Sequence, residues 1–189
     1  RASFQNVLGS QYGYQATEFK YLQRFFLSAF GRIDLTFKGG KIWTGGVAYP
    51  DLFCPNSNTS FTIMQESFSQ VNPLEFVADQ YLSIDIGIST NGLLFNLIPG
   101  IKKLQLREVA GFKCYWGHLS NKNNPMYNSG LLAFPGNTGT LTMEPYMEFS
   151  VGIDNIFRIL RVDYVRRINY LQNPNIWANG VRVSLNFTF

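Results

Sequence analysis

The chain has 189 residues, a net charge of +4, 16% aromatic residues and only 15% charged ones, against roughly 25% charged in an ordinary soluble domain. Its mean hydropathy is near zero, and no run of about 18 apolar residues occurs, which excludes a spanning helix. Lys and Arg are scattered without a basic helix or run, which argues against a nucleic-acid partner.

Ala2–Leu8 reads as a first strand, ended by the Gly9–Ser10–Gln11–Tyr12–Gly13 cluster. From Thr17 to Leu27, Phe19, Tyr21 and Phe25 share one face and Glu18, Lys20 and Arg24 the other. A tight connection at Ser28–Ala29 leads to a cleaner strand. There Gly31, Ile33, Leu35 and Phe37 alternate with Arg32, Asp34, Thr36 and Lys38. Such a polar face needs water or partners, and an enclosed lumen supplies both. Residues 44–79, rich in Pro, Asn and Ser, read as one long, partly ordered loop, with two further short strands as the alternative.

Tyr81–Ser89 alternates again, with Leu82, Ile84, Ile86 and Ile88 on one face, and Asn91–Gly92 is a hairpin-turn dipeptide. The apolar stretch that follows does not alternate. Leu104–Gly117 is a strand whose apolar face is broken by Glu108, at an interface or a bulge. Residues 121–139 form a long loop. Tyr146–Ile153, a turn at Asp154–Asn155, a strand over 160–170 and a loop from Gln172 to Asn175 lead to the last strand, Gly180–Phe189. In that strand Val181, Val183, Leu185, Phe187 and Phe189 alternate with Arg182, Ser184, Asn186 and Thr188.

About seven clear strands, eight with the first, half apolar and half polar, ending on Phe, predict an all-β antiparallel transmembrane β-barrel. Connections alternate between short (Ser28–Ala29, Asp154–Asn155) and long (44–79, 118–142, 171–179). Short periplasmic turns and longer outer loops have that rhythm, so Phe189 falls at the periplasmic end of an outer-membrane protein. Trp43, Tyr81, Tyr115, Trp116, Tyr146, Tyr170 and Trp177 lie near strand ends, where interfacial girdles form. The 91–103 connection is too long and apolar for the pattern. It is either a hairpin tip at the membrane interface or a partner-docking surface made of Leu93, Leu94, Phe95, Leu97 and Ile98. The chain begins at Arg1 in mid-pattern without an initiator Met, so a leader removed or a longer parent protein is expected.

The chain also resembles the C-terminal barrel region of a family of Bacteroidota outer-membrane proteins. Gly40-Lys41-Ile42-Trp43, Asn72-Pro73-Leu74-Glu75-Phe76, Asp79-Gln80-Tyr81 and Asn91-Gly92-Leu93-Leu94-Phe95-Asn96 carry the likeness. So do Leu106-Arg107-Glu108-Val109, Gly117-His118-Leu119-Ser120-Asn121-Lys122-Asn123, Val151-Gly152-Ile153-Asp154-Asn155-Ile156-Phe157 and Leu160-Arg161-Val162-Asp163-Tyr164-Val165. It spans about residues 17–189 and departs at Val47-Ala48-Tyr49-Pro50-Asp51. Members open with a periplasmic domain resembling the carboxypeptidase-regulatory fold. The resemblance therefore implies that residues 1–189 are the barrel portion of a longer protein, with further strands in the full barrel. It implies no activity. A fainter likeness, on Val151-Gly152-Ile153 and Leu160-Arg161-Val162-Asp163-Tyr164, is to the outer-membrane assembly and translocation superfamily.

No catalytic or metal-binding set emerges. His118 is the sole histidine, Ser120 lies in no nucleophile elbow, and Cys54 and Cys114 fit no metal spacing and read as free thiols or one disulfide. Asp85 and Glu148 are lone carboxylates on polar faces. The constellation with content is the inward charge set Arg32, Asp34, Lys38, Lys113, Arg161, Asp163, Arg167 and Arg182. It reads as a salt-bridge network stiffening the lumen, or as a selectivity lining for anions. The expected function is a non-enzymatic, cofactor-free outer-membrane subunit of a larger envelope complex, in contact with lipid and with other outer-membrane or periplasmic proteins. The alternative is a pore or translocator.

Overall fold

Two-residue periodicity in segment after segment leaves a sheet as the way to bury one face of each. The computed structural model of the chain describes residues 1–4, 13–44 and 46–185. Its strands are β1 (Ala2–Ser3), β2 (Tyr14–Phe26), β3 (Gly31–Thr44), β4 (Gln80–Thr90), β5 (Arg107–His118), β6 (Tyr146–Ile156), β7 (Leu160–Arg167) and β8 (Asn179–Leu185). They form one antiparallel sheet in the order β1 to β8. Short 3₁₀ turns are the sole helical elements among the described residues.

The registers sort the side chains into two faces. Gln23, Leu35, Ile86, Phe112 and Phe149 lie in one row across β2 to β6. Tyr21, Phe37, Ile84, Cys114 and Met147 form the next. Val183 of β8 stands on the same face, opposite Val162. The described residues include neither a helical layer nor a second sheet to cover this face. Phe19 is 50% exposed and Val181 54%. The opposite face carries the row Thr36, Asp85, Lys113, Glu148 and Arg167.

Residues 46–79 do not stand off the sheet. They fold over its polar face as an ordered loop that contributes no strand of the sheet, although residues 53, 57, 62 and 76 make single bridges. The core lies between this loop and the strands. Tyr14, Ala16, Ile42, Val47, Leu52, Phe53 and Val77 make one cluster, and Phe68, Val71, Phe76, Tyr115 and Tyr146 another. Aromatic rings supply most of the second, with Tyr81 stacked on Tyr115 at 5.5 Å.

Among the described residues the sheet is open rather than closed. Among the described residues β1 pairs with β2 at Gln15 and Tyr14 alone, and no other described strand lies along the outer edge of β2. The outer edge of β8 is occupied by the loop: the Ile63 amide donates to the Val183 carbonyl at 3.0 Å, and the Val183 amide to Phe61 at 2.8 Å.

Several local expectations change. The connection after β6 is Phe157–Ile159 rather than Asp154–Asn155, because a register shift carries β6 to Ile156. Phe157 and Arg158 take left-handed backbone there, at φ 50° and 68°, a conformation their side chains do not advertise. Asn91–Gly92 makes no two-residue hairpin. Gly92 does adopt φ 79°, but the connection runs on to residue 106 through two 3₁₀ turns. Of the expected girdle, Trp43, Trp116 and Trp177 are exposed. Tyr81, Tyr115, Tyr146 and Tyr170 instead turn inward to meet Phe53, Phe68 and Phe76. The first strand stops at Ser3 and the last is described to Leu185; residues 5–8 and Asn186–Phe189 lie outside the described residues.

Candidate functional site

The interior row of β4 to β7 alternates in charge: Asp85, Lys113, Glu148, Arg167. Opposite charges directly across adjacent strands attract, yet one of these neighbouring pairs, Lys113 with Asp85 at 3.3 Å, closes as an ion pair. The other groups reach into the loop. Lys113 donates to the Ser67 carbonyl at 2.7 Å. Glu148 accepts the amides of Ser69 at 2.8 Å and Gln70 at 2.6 Å, and the Tyr146 hydroxyl at 2.6 Å.

Arg167 closes the row. Its side chain is wholly buried and pairs with Glu75 through two bonds of 3.0 and 2.6 Å. Its remaining donors go to the carbonyls of Gln70, Asn169 and Tyr170. The guanidinium also lies 4.8 Å over the Tyr146 ring. Every donor of the fork is therefore used, which is the condition for a buried Arg to be tolerated. Glu75 in turn accepts from the Asn72 amide and the Asn173 side chain.

The other members of the inward charge set divide into local groups. Asp34 is shared by Arg24 and Arg32, the second at 3.2 Å. Arg161 grips Asp163 through two bonds of 2.9 and 2.6 Å. Asp163 faces Arg182 in register, but Arg182 donates instead to the Ser69 carbonyl of the loop. Lys38 joins Lys20 on Glu66, each at 2.6 Å. The single network expected from the sequence is thus several clusters, four of whose members, Lys38, Lys113, Arg167 and Arg182, hold the loop. Sequence reading missed the loop carboxylates Glu66 and Glu75. No periodicity marks them; the signal available was an inward surplus of Arg and Lys that had to be answered from elsewhere.

Glu66 carries a pH consequence. Its hydrogen bond from Lys20, then that from Lys38, holds its carboxyl below the usual carboxylate range. A carboxylate depressed in the folded state stabilises fully above its unfolded value and ceases to do so as pH falls through its folded one. Hydrogen exchange at residues 64–68 is therefore expected to accelerate as pH drops through and below about 4, after correction for intrinsic rates. Glu66→Gln should remove the acid-dependent part.

The loop divides the interior. One cavity of about 480 Å³ is lined by Arg24, Arg32, Asp34, Glu66, Arg161 and Asp163 among others. A second, of about 680 Å³, is lined by Arg1, Glu18, Lys38, Cys54, Tyr81 and Tyr115 among others. Glu66 borders both. Cys54 and Cys114 are free thiols, and burial pushes the Cys54 thiol up.

His118 is exposed at the end of β5. The Ser120 hydroxyl donates to Asp79, which also accepts from Asn123 at 2.8 Å, so these side chains brace a loop. No group of three His, Cys, Asp or Glu with metal-site geometry exists among the described residues. Of the apolar segment, Leu93, Leu94, Leu97 and Ile98 are exposed and Phe95 is half-buried. Glu108 explains that segment's order. It makes no bulge; its carboxylate accepts the amides of Leu93, Leu94 and Phe95 at 3.0, 2.8 and 2.8 Å, and the Thr90 hydroxyl.

A family model described as "Family of unknown function (DUF5686) C-terminal domain" matches residues 1–128. No curated protein and no solved structure matches the chain.

Proposed function

The chain belongs to the family of unknown function DUF5686, matching its C-terminal domain, and on that premise we propose that it is the self-plugged part of an outer-membrane β-barrel with a structural rather than catalytic role. The observation that carries this reading is the contrast between the two faces of the sheet. Among the described residues the apolar face has no layer over it, while the polar face is filled by the chain's own loop. Hydrocarbon outside and an enclosed polar interior inside account for both.

A spanning sheet cannot leave long edges unpaired, since each unsatisfied backbone group in lipid costs several kcal/mol. The outer edge of β2, paired with β1 at two residues among those described, and the part of β8 beyond its loop contacts at Val183 therefore require further strands, which a longer parent barrel supplies. The plugged interior favours a subunit of an envelope assembly over a pore, because cations that would line an anion path are bound to Glu66, Glu75 and loop carbonyls. Contact with other outer-membrane or periplasmic proteins falls to the long loops, where Met126, Tyr127, Leu132 and Met143 are exposed. The C-terminus and the short turns lie on the periplasmic side.

Reconstitution tests both parts. Brominated acyl chains are expected to quench Trp116, which stands on the apolar face opposite Leu82; absence of quenching overturns the membrane reading. In planar bilayers the protein is expected to be silent. Stable open channels abolished by Arg161→Ala or Arg167→Ala would overturn the structural role in favour of transport.

A further inference from the structure

The three connections at the short-turn end are laced into one ledge. The Asn91 side chain donates to the Ala29 carbonyl at 3.2 Å, and that of Asn155 to the Gln105 carbonyl at 2.8 Å. The Glu108 carboxylate fixes the backbone between them. This ledge exposes Leu94, Leu97, Leu104 and Phe157, at 66, 76, 57 and 85%. Beside them stand Lys102, Lys103 and Arg158, all exposed. None of the three makes an ion pair or side-chain hydrogen bond among the described residues.

The carboxylates of that end are engaged elsewhere. Asp34 is held by Arg24 and Arg32, Glu108 by backbone amides, and Asp154 stands in register with Arg107. Cations at the opposite end contrast with this. Lys41 sits 4.7 Å over Trp43, Lys122 reaches the Trp43 carbonyl at 3.4 Å, and Arg1 pairs with Glu18 at 2.7 Å. A rigid ledge that sets aliphatic side chains beside cations without counter-ions matches a molecule with acyl chains and an anionic head.

We propose that this ledge binds anionic glycerophospholipid, with Lys102, Lys103 and Arg158 on the phosphate head and Leu94, Leu97, Leu104 and Phe157 among the upper acyl carbons. The inference rests on the barrel reading above and adds to it a lipid preference and the residues that set it. Each Lys or Arg at an anionic lipid surface contributes about 1 kcal/mol, or about fivefold in affinity.

The test uses the intact protein in vesicles of phosphatidylcholine, with and without phosphatidylglycerol. Native mass spectrometry after extraction counts the lipids retained. Wild type is expected to retain phosphatidylglycerol over phosphatidylcholine. The variant with Lys102→Gln, Lys103→Gln and Arg158→Gln should lose that preference by about fivefold per charge removed. The charge-keeping variant with Lys102→Arg, Lys103→Arg and Arg158→Lys should keep it, which separates loss of charge from loss of fold. Insertion into phosphatidylcholine, read by Trp116 quenching, with no phosphatidylglycerol preference overturns the ledge proposal and leaves the barrel standing. Failure to insert in either lipid overturns both. A preference unchanged in the neutralised variant also overturns the assignment to these residues.

Discussion

Arg167→Ala is expected to cost about 3–5 kcal/mol of folding stability, the range for removing one partner of a buried ion pair. The guanidinium is wholly buried, and Glu75 is 5% exposed. Truncation strands that carboxylate in a site walled by Phe76 and Tyr146, and it also unsatisfies the carbonyls of Gln70, Asn169 and Tyr170. Denaturant unfolding in detergent measures the loss. Arg167→Lys should recover little, because an ammonium cannot supply a planar fork to two carboxylate oxygens and three carbonyls. The double variant Arg167→Ala with Glu75→Ala should be more stable than Arg167→Ala alone, since no unpaired charge remains. A double variant at least as unstable as the sum of the singles would refute the pairing.

That pair also marks where sequence reading stops. Ile33, Leu35 and Phe37 could be placed opposite Arg32, Asp34 and Thr36 because pleating fixes a period of two. The assignments of Ile84, Ile86, Phe112, Val151 and Val183 to one face follow from the same rule, and the registers agree with it. Asp85 and Glu148 read as carboxylates without partners, since neither strand carries a Lys or Arg. Their neighbours Lys113 and Arg167 become visible when the strands are aligned, which needs the registers. Glu66 and Glu75 are harder. They lie in a loop without periodicity, and their partners stand on strands far away in sequence. Glu108 broke an apolar face and so signalled something local, but its role depends on the amides of Leu93 to Phe95 turning toward it. The turn at Phe157–Ile159 escaped because Phe157 and Arg158, unlike the left-handed Asn155 before them, are residues that rarely take that backbone. Closure is not legible for a different reason. Alternation specifies two faces but carries no information about what pairs with the first and last edges.

The second large effect is expected at Glu148, and its signature is spatially confined. Glu148→Ala removes the acceptor for two loop amides and the Tyr146 hydroxyl, and leaves Lys113 with Asp85 as its charged partner. Each buried donor left unsatisfied costs about 1–3 kcal/mol, so the three together cost about 3 kcal/mol or more. The strands keep their own ladders, and the pairing of β6 with β5 and β7 does not use this side chain. The loss should therefore appear as release of the loop before unfolding of the sheet. Hydrogen exchange at Ser69 and Gln70 is expected to rise by a factor of about 100 or more, the rate equivalent of some 3 kcal/mol, while amides within β5 and β6 stay protected. Glu148→Gln should be intermediate: its carbonyl still accepts one amide, but its NH₂ then faces the other donor. Equal loss of protection in strands and loop would mean that the loop is part of the sheet's folding unit rather than a plug seated on it. That outcome would remove the physical basis for treating the interior as a barrel lumen closed by its own chain.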